Sequence, residues 1–166
     1  MIYKIRAILN TKEDIIRDIA ILKTDTLEDL HNAVSNAFGF TGREMAAFYR
    51  ADEDWNQGEE FPLFDMSDGL DRKISMREMV IENVLEKEGQ KLIYVYDFLT
   101  MWSFYIELIE SDLVQQDFVL PSLLFTLGTI PKIAPNLQFE SEKVSNEFDD
   151  EEDEDFDEFG FDQYTE

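Results

Sequence analysis

Cysteine is absent from the 166 residues, which excludes disulfides, thiol nucleophiles and thiolate metal sites. Histidine occurs once, at His31, so no site can rest on paired imidazoles. Basic residues are scarce: 14 Lys and Arg stand against 38 Asp and Glu, a formal net charge of −24. A field of that sign opposes direct nucleic-acid binding, whose affinity comes mostly from Lys and Arg on phosphates. It equally opposes anionic membrane surfaces, and it suits a basic protein partner or simple solubility. The longest apolar run, residues 91–109, is too mixed to span a bilayer as a helix. The N-terminal MIYKIRAILN lacks the uninterrupted apolar core of a signal peptide. A cytoplasmic location is expected. No catalytic, metal or cofactor motif stands out, and no cofactor is called for.

What the chain has in excess sits at its C-terminus. Residues 140–166 hold 14 Asp or Glu and a single basic residue, Lys143. Residues 1–139 remain acidic without them, with 24 acids against 13 bases. The expected organisation is therefore a globular domain over 1–139 followed by a disordered acidic tail over 140–166. Phe148, Phe156, Phe159, Phe161 and Tyr164 interleave the tail carboxylates. Acids would keep such a segment extended and steer it towards positive charge, while aromatics would supply anchors. Phe156, Phe159, Phe161, Asp153 and Asp155 are the residues expected to meet a basic partner.

The domain reads as α+β. The stretch KLIYVYDFLTMWSFYIELI is dense in β-branched and aromatic residues and broken once by polar positions. It reads as two antiparallel strands, 91–98 and 101–110, central in a mostly antiparallel sheet, because such an edge left open would aggregate. Residues 2–9 alternate, with Tyr3, Ile5, Ala7 and Leu9 on one face. Residues 15–22 read as a strand paired to them, with helix as the competing reading because Arg17-Asp18 disturbs the alternation. Thr26 and Asp29 resemble a capping box for a helix over 26–38, packed on the sheet through Leu27, Leu30, Val34, Ala37 and Phe38, with Gly39 ending it. A third strand is expected over 45–50. Residues 52–69 read as a long loop, and Ser75 with Glu78 as the cap of a short helix over 76–80. After a polar stretch over 111–117, residues 121–127 read as a strand or a helix. Asp65, Asp68 and Asp71 do not match the spacing of a calcium loop.

Three segments, ILKTDTLEDLHNAVSNAFGF, MAAFYRAD and KLIYVYDFLTMWSFYIELIE, resemble in order and spacing the plasmid-borne ORF-three-like family. That family was first named from an open reading frame on an Ri plasmid and is also described as a transposon passenger group of TnpR type. The resemblance covers residues 1–110, extends weakly to 135, and is most specific at Tyr96-Asp97-Phe98 with Trp102. It implies a compact α+β fold, an association with mobile elements, and no established activity. This chain departs from the pattern: Leu99-Thr100 stand where relatives have Gly-Asp, Ser103-Phe104 where they have Glu-His, and Glu44-Met45 where they have His-Leu. The Pro-rich acidic and Gly-Gly ending is missing too. A His/Asp site in relatives would be mostly lost here, as in a divergent member with its own tail.

Sharp readings compete with plain ones. His31 could be a ligand or a base, but without a second His the reading is a helix histidine satisfied locally. Asp97 and Trp102 could line a site at the hairpin mouth, against a turn carboxylate and a core aromatic. Glu107 and Glu110 read as a solvated strand end. The function that follows is a non-enzymatic protein-binding module whose tail engages a basic partner, the alternative being a small-ligand-binding protein or enzyme with a site near Asp97 and Trp102. The charge balance makes one expectation direct: micromolar protein gives no salt-sensitive shift of duplex DNA in a gel, whereas such a shift would overturn the electrostatic reading.

Overall fold

The computed structural model describes residues 1–65, 72–114 and 119–135. In chain order they form β1 (Ile2–Leu9), β2 (Ile16–Leu22), helix α1 (Leu27–Ala37), β3 (Ala46–Ala51), β4 (Gln57–Pro62), two short 3-10 turns (Met76–Glu78 and Ile81–Asn83), β5 (Lys91–Tyr96), β6 (Trp102–Leu113) and β7 (Ser122–Leu127). The strands make one seven-stranded sheet, ordered β4-β3-β5-β6-β1-β2-β7. Every pairing is antiparallel. The β5–β6 hairpin is central, with β6 the middle strand, as its apolar content demands.

Strand alternation explains the core. Tyr3, Ile5, Ala7 and Leu9 of β1, Leu92, Tyr94 and Tyr96 of β5, and Trp102, Phe104, Ile106 and Leu108 of β6 are all buried in one cluster. Helix α1 adds Leu27, Leu30 and Val34 to that cluster, at the spacing of a single helical face. The helix begins where expected: the Thr26 side chain accepts from the Asp29 amide at 3.2 Å, and the Asp29 carboxylate accepts from the Thr26 amide at 3.0 Å. Gly39, at φ +86°, follows the Phe38 cap, the left-handed position that glycine adopts without a Cβ penalty.

Two arginines on β1 and β2 fix the other end of the sheet. The last turn of α1 carries no basic residue of its own. Arg17 of β2 supplies the cation instead, donating Nε to the Ala37 carbonyl at 3.1 Å and Nη1 to the carbonyls of Ile16 and Leu127 at 2.9 and 3.0 Å. Its guanidinium lies 4.9 Å from the Phe38 ring. One buried side chain thus ties α1, β2 and β7 together and complements the negative end of the helix. On the opposite face Arg6 grips the buried carboxylate of Asp18 through two bonds, at 2.8 and 2.9 Å, the bidentate geometry that makes such pairs strong.

The structure corrects several expectations. Residues 52–69 are not all loop, because β4 pairs with β3 there, Phe48 facing Phe61 and Tyr49 facing Glu60. A strand at a sheet edge needs only one buried side chain in two, so Glu59 and Glu60 did not betray it. Strand β6 runs on through Ser111 to Leu113, where Leu113 pairs with Ile2, so Glu107 and Glu110 lie within a strand rather than at its end. The hairpin connection is longer than a two-residue turn: it occupies Asp97 to Met101, and both of those residues have positive φ, 64° and 59°. The short helix after Ser75 is a single 3-10 turn, and residues 121–127 resolve as strand β7. The boundary at 139 and the tail lie outside the described residues.

At the end of β7, Gly128 has φ +83°, and a Cβ built there would lie 2.6 Å from the Asp14 carbonyl oxygen. Both the conformation and the approach of the β1–β2 turn require glycine. Gly128→Ala should therefore lower stability by about 2 kcal/mol, measured by denaturant unfolding. An unchanged midpoint would show that this end of β7 is not tied to the turn.

Candidate functional site

The signature hairpin and the helix meet over a buried polar cluster. His31 lies on the inner face of α1, two turns before its end, and is 1% exposed. Its Nδ1 is 2.6 Å from the hydroxyl of Tyr94 on β5, and its Nε2 is 3.0 Å from the Gly42 carbonyl oxygen. A carbonyl only accepts, so Nε2 carries the proton and Nδ1 accepts from Tyr94. The Tyr96 hydroxyl accepts from the Gly42 amide at 3.1 Å and lies 3.3 Å from Thr41 Oγ1. Phe40 stacks on Tyr96, with centroids 4.6 Å apart, and packs against Trp102 at 5.0 Å. The loop after α1 is thereby fastened to β5 and β6. The expectation that His31 is satisfied locally was wrong in its partners, since Tyr94 is 63 positions away. It was right that the ring is satisfied.

Both titratable groups of this cluster are shifted towards their neutral forms. Burial holds the His31 imidazole below its ordinary pKa; the bond to Gly42 and the charge of Glu28 pull only part of the way back. Burial, with the neighbouring Tyr96, pushes the Tyr94 phenol well above its usual range. Both groups are neutral at pH 7, and each is hydrogen-bonded.

Asp97 and Trp102 have the plainer of their two roles. The Asp97 carboxylate accepts from the Leu99 amide at 3.1 Å, and its own amide donates to the Met45 carbonyl at 2.7 Å. Trp102 is 7% exposed and belongs to the core. A cavity beside Phe98 of the hairpin connection, about 270 Å³, is lined by Met45, Glu60, Pro62, Phe64, Asp65, Lys73 and Phe98, and it includes neither Asp97 nor Trp102. Among the described residues no group of three or more His, Cys, Asp or Glu is placed to hold a metal ion. No helix of the described residues is long and apolar enough to cross a membrane. Phe156, Phe159, Phe161, Asp153 and Asp155 lie outside the described residues, so the structure brings none of them to a site.

The sequence reading passed over Trp55. The Asp52 carboxylate accepts from the amides of Asp54 and Asn56 at 2.9 and 2.8 Å, and this turn holds Trp55 at φ 65°. The indole lies against Tyr105 on the sheet face away from α1, with centroids 4.6 Å apart, and the Lys91 ammonium stands 5.4 Å from it. Positive φ is rare for so bulky a residue. The only sequence signal was Asp52 two and four positions before polar turn residues, the pattern of an Asx turn.

The pKa of His31 gives a signed expectation. The native state prefers the neutral ring, so its contribution is complete above the unfolded value near 6.5 and drains away as pH falls below that value. The thermal midpoint of the native chain should fall more between pH 7.5 and 5.5 than that of a His31→Gln chain, since relief of carboxylate repulsion is common to both. Parallel profiles would show that His31 protonates as readily folded as unfolded.

The family model described as plasmid pRiA4b ORF-3-like protein matches residues 1–135. Among solved structures, the chain resembles a protein of unknown function from Methanosarcina mazei Go1, with TM-score 0.61 and 16% identity over 75% of this chain and 68% of that one. At that identity the likeness speaks for the fold. No curated protein matches the chain. With the signature hairpin at the centre of the sheet and the family match running from the first strand past the last, the chain belongs to the plasmid pRiA4b ORF-3-like protein family.

Proposed function

We propose that this chain is a non-enzymatic protein-binding module of a mobile-element-associated family, and that its acidic tail engages a basic protein. The observation that carries the reading is the tail's composition: 14 carboxylates with five aromatics among the last 27 residues. Charge alone acts only within a Debye length, about 8 Å at physiological salt. Aromatic anchors would turn a weak, fast encounter into a lasting one. The use of the only histidine in a neutral, fully bonded core cluster supports the non-enzymatic half of the reading. The rival reading, a ligand site or active centre near Asp97 and Trp102, draws on the roughly 270 Å³ cavity beside Phe98. Its weakness is that neither named side chain lines that cavity, Trp102 being buried in the core and Asp97 bonded to the Leu99 amide.

The test is affinity capture from the native host with the full chain, a chain ending at Phe139, and a full chain with Phe156, Phe159 and Phe161 replaced by Ser. A basic protein should be retained by the first and lost from the second. With that protein in hand, replacing the acids over 149–155 by Asn or Gln should slow association and flatten its salt dependence, while the Phe-to-Ser change should speed dissociation. Retention that ignores the tail would overturn the proposal.

A further inference from the structure

The two edges of the sheet are built differently. The β4 edge, QGEEFP, is guarded in the manner of natural sheet edges: Glu59 pairs with Arg50, Glu60 with Lys73, and Pro62 closes the strand. The β7 edge, SLLFTL, has no charge, and none occurs anywhere from Phe118 to Pro131, in a chain that is 31% charged. Its side chains are open on both faces: Leu123 is 49% exposed, Leu124 38%, Phe125 46% and Leu127 43%. The register shift opposite Asp18 and Ile19 leaves Leu124 as a bulge, the one guard present in the strand. Among the described residues nothing pairs with the outer side of β7. Behind it, the charges of β2 are already spent, Arg17 on carbonyls and Asp18 on Arg6.

We propose that β7 is a self-association edge, on which a second copy of this chain pairs its own β7 antiparallel. This goes beyond the reading of the tail and does not depend on it. An uncharged strand offers a basic partner no counter-charge, whereas it complements its own copy residue for residue about a two-fold axis. Such an isologous contact uses both β7 edges at once. It would leave only the guarded β4 edges outside, so a fourteen-stranded sheet would close at two copies instead of growing. Four half-exposed apolar side chains and one strand edge are well below a standard interface. The dimer is therefore weak, with Kd on the order of 100 µM. Each copy carries −24, so added salt strengthens it by screening repulsion.

Sedimentation velocity of the full chain, run over a concentration series and at low and high salt, tests this. A reversible monomer–dimer equilibrium that tightens with salt is expected. Phe125→Lys and Leu123→Lys, each with an unchanged circular dichroism spectrum, should weaken it at least tenfold. Leu99→Lys, at a 93% exposed position away from β7, should leave it intact. A chain that stays monomeric at concentrations about tenfold above that Kd overturns the proposal. So does a dimer that ignores the β7 substitutions, or one that weakens as salt rises. Should either lysine chain fail to fold, Thr126→Lys on the same edge reads the same contact.

Discussion

A 2.6 Å hydrogen bond joins Tyr94 in a central strand to His31 on the only α-helix of the described residues, and much of the fold turns on it. The bond requires a neutral imidazole with its Nε2 proton on Gly42. Gly42 in turn places Thr41 and Phe40 over Tyr96 and Trp102. Helix, loop and signature hairpin are thus held as one unit around two buried polar side chains. An apolar core alone would permit the helix to slide along the sheet. A buried polar pair tolerates no such slip, because an unmatched donor or acceptor there costs its full desolvation.

The same logic explains why the signature motif lacks the look of an active centre. Its tyrosines and tryptophan are engaged in packing and in hydrogen bonds to α1 and the loop after it, the His31 they meet on α1 is held neutral, and Asp97 shapes a turn whose two ends sit at positive φ. At the other end of the sheet Arg17 does for α1, β2 and β7 what His31 does for α1 and β5. In both places a polar side chain on one element completes the hydrogen bonds of another.

Much of this was legible in the sequence. Alternation in 2–9, the Thr26–Asp29 cap and Gly39 set the first strand and the helix to within a residue or two of the structure. The apolar density of 91–110 placed the hairpin at the sheet centre. Strand β4 was hidden because its glycine, glutamates and proline carry the composition of a loop, although an edge strand accepts all of them. The end of β6 was hidden because Ser111 and Asp112 are polar residues of loop-like composition while backbone pairing with β1 continues. The partners of His31 and Arg17 were out of reach for another reason: they lie far along the chain, and only the sheet order brings them together. A charged residue in a strand suggests solvent, yet Arg17 is buried and bonded to the Leu127 carbonyl.

The central claim is that His31 is a structural, neutral core histidine, and ring nitrogen NMR tests it most directly. Long-range proton–nitrogen correlation of the His31 imidazole should show the Nε2–H tautomer at pH 7, with Nδ1 shifted as an acceptor, and the pattern should persist below the ordinary histidine value of 6.5. A ring that titrates at or above that value, or that exchanges between tautomers, would contradict the account and return His31 to the list of groups able to move a proton.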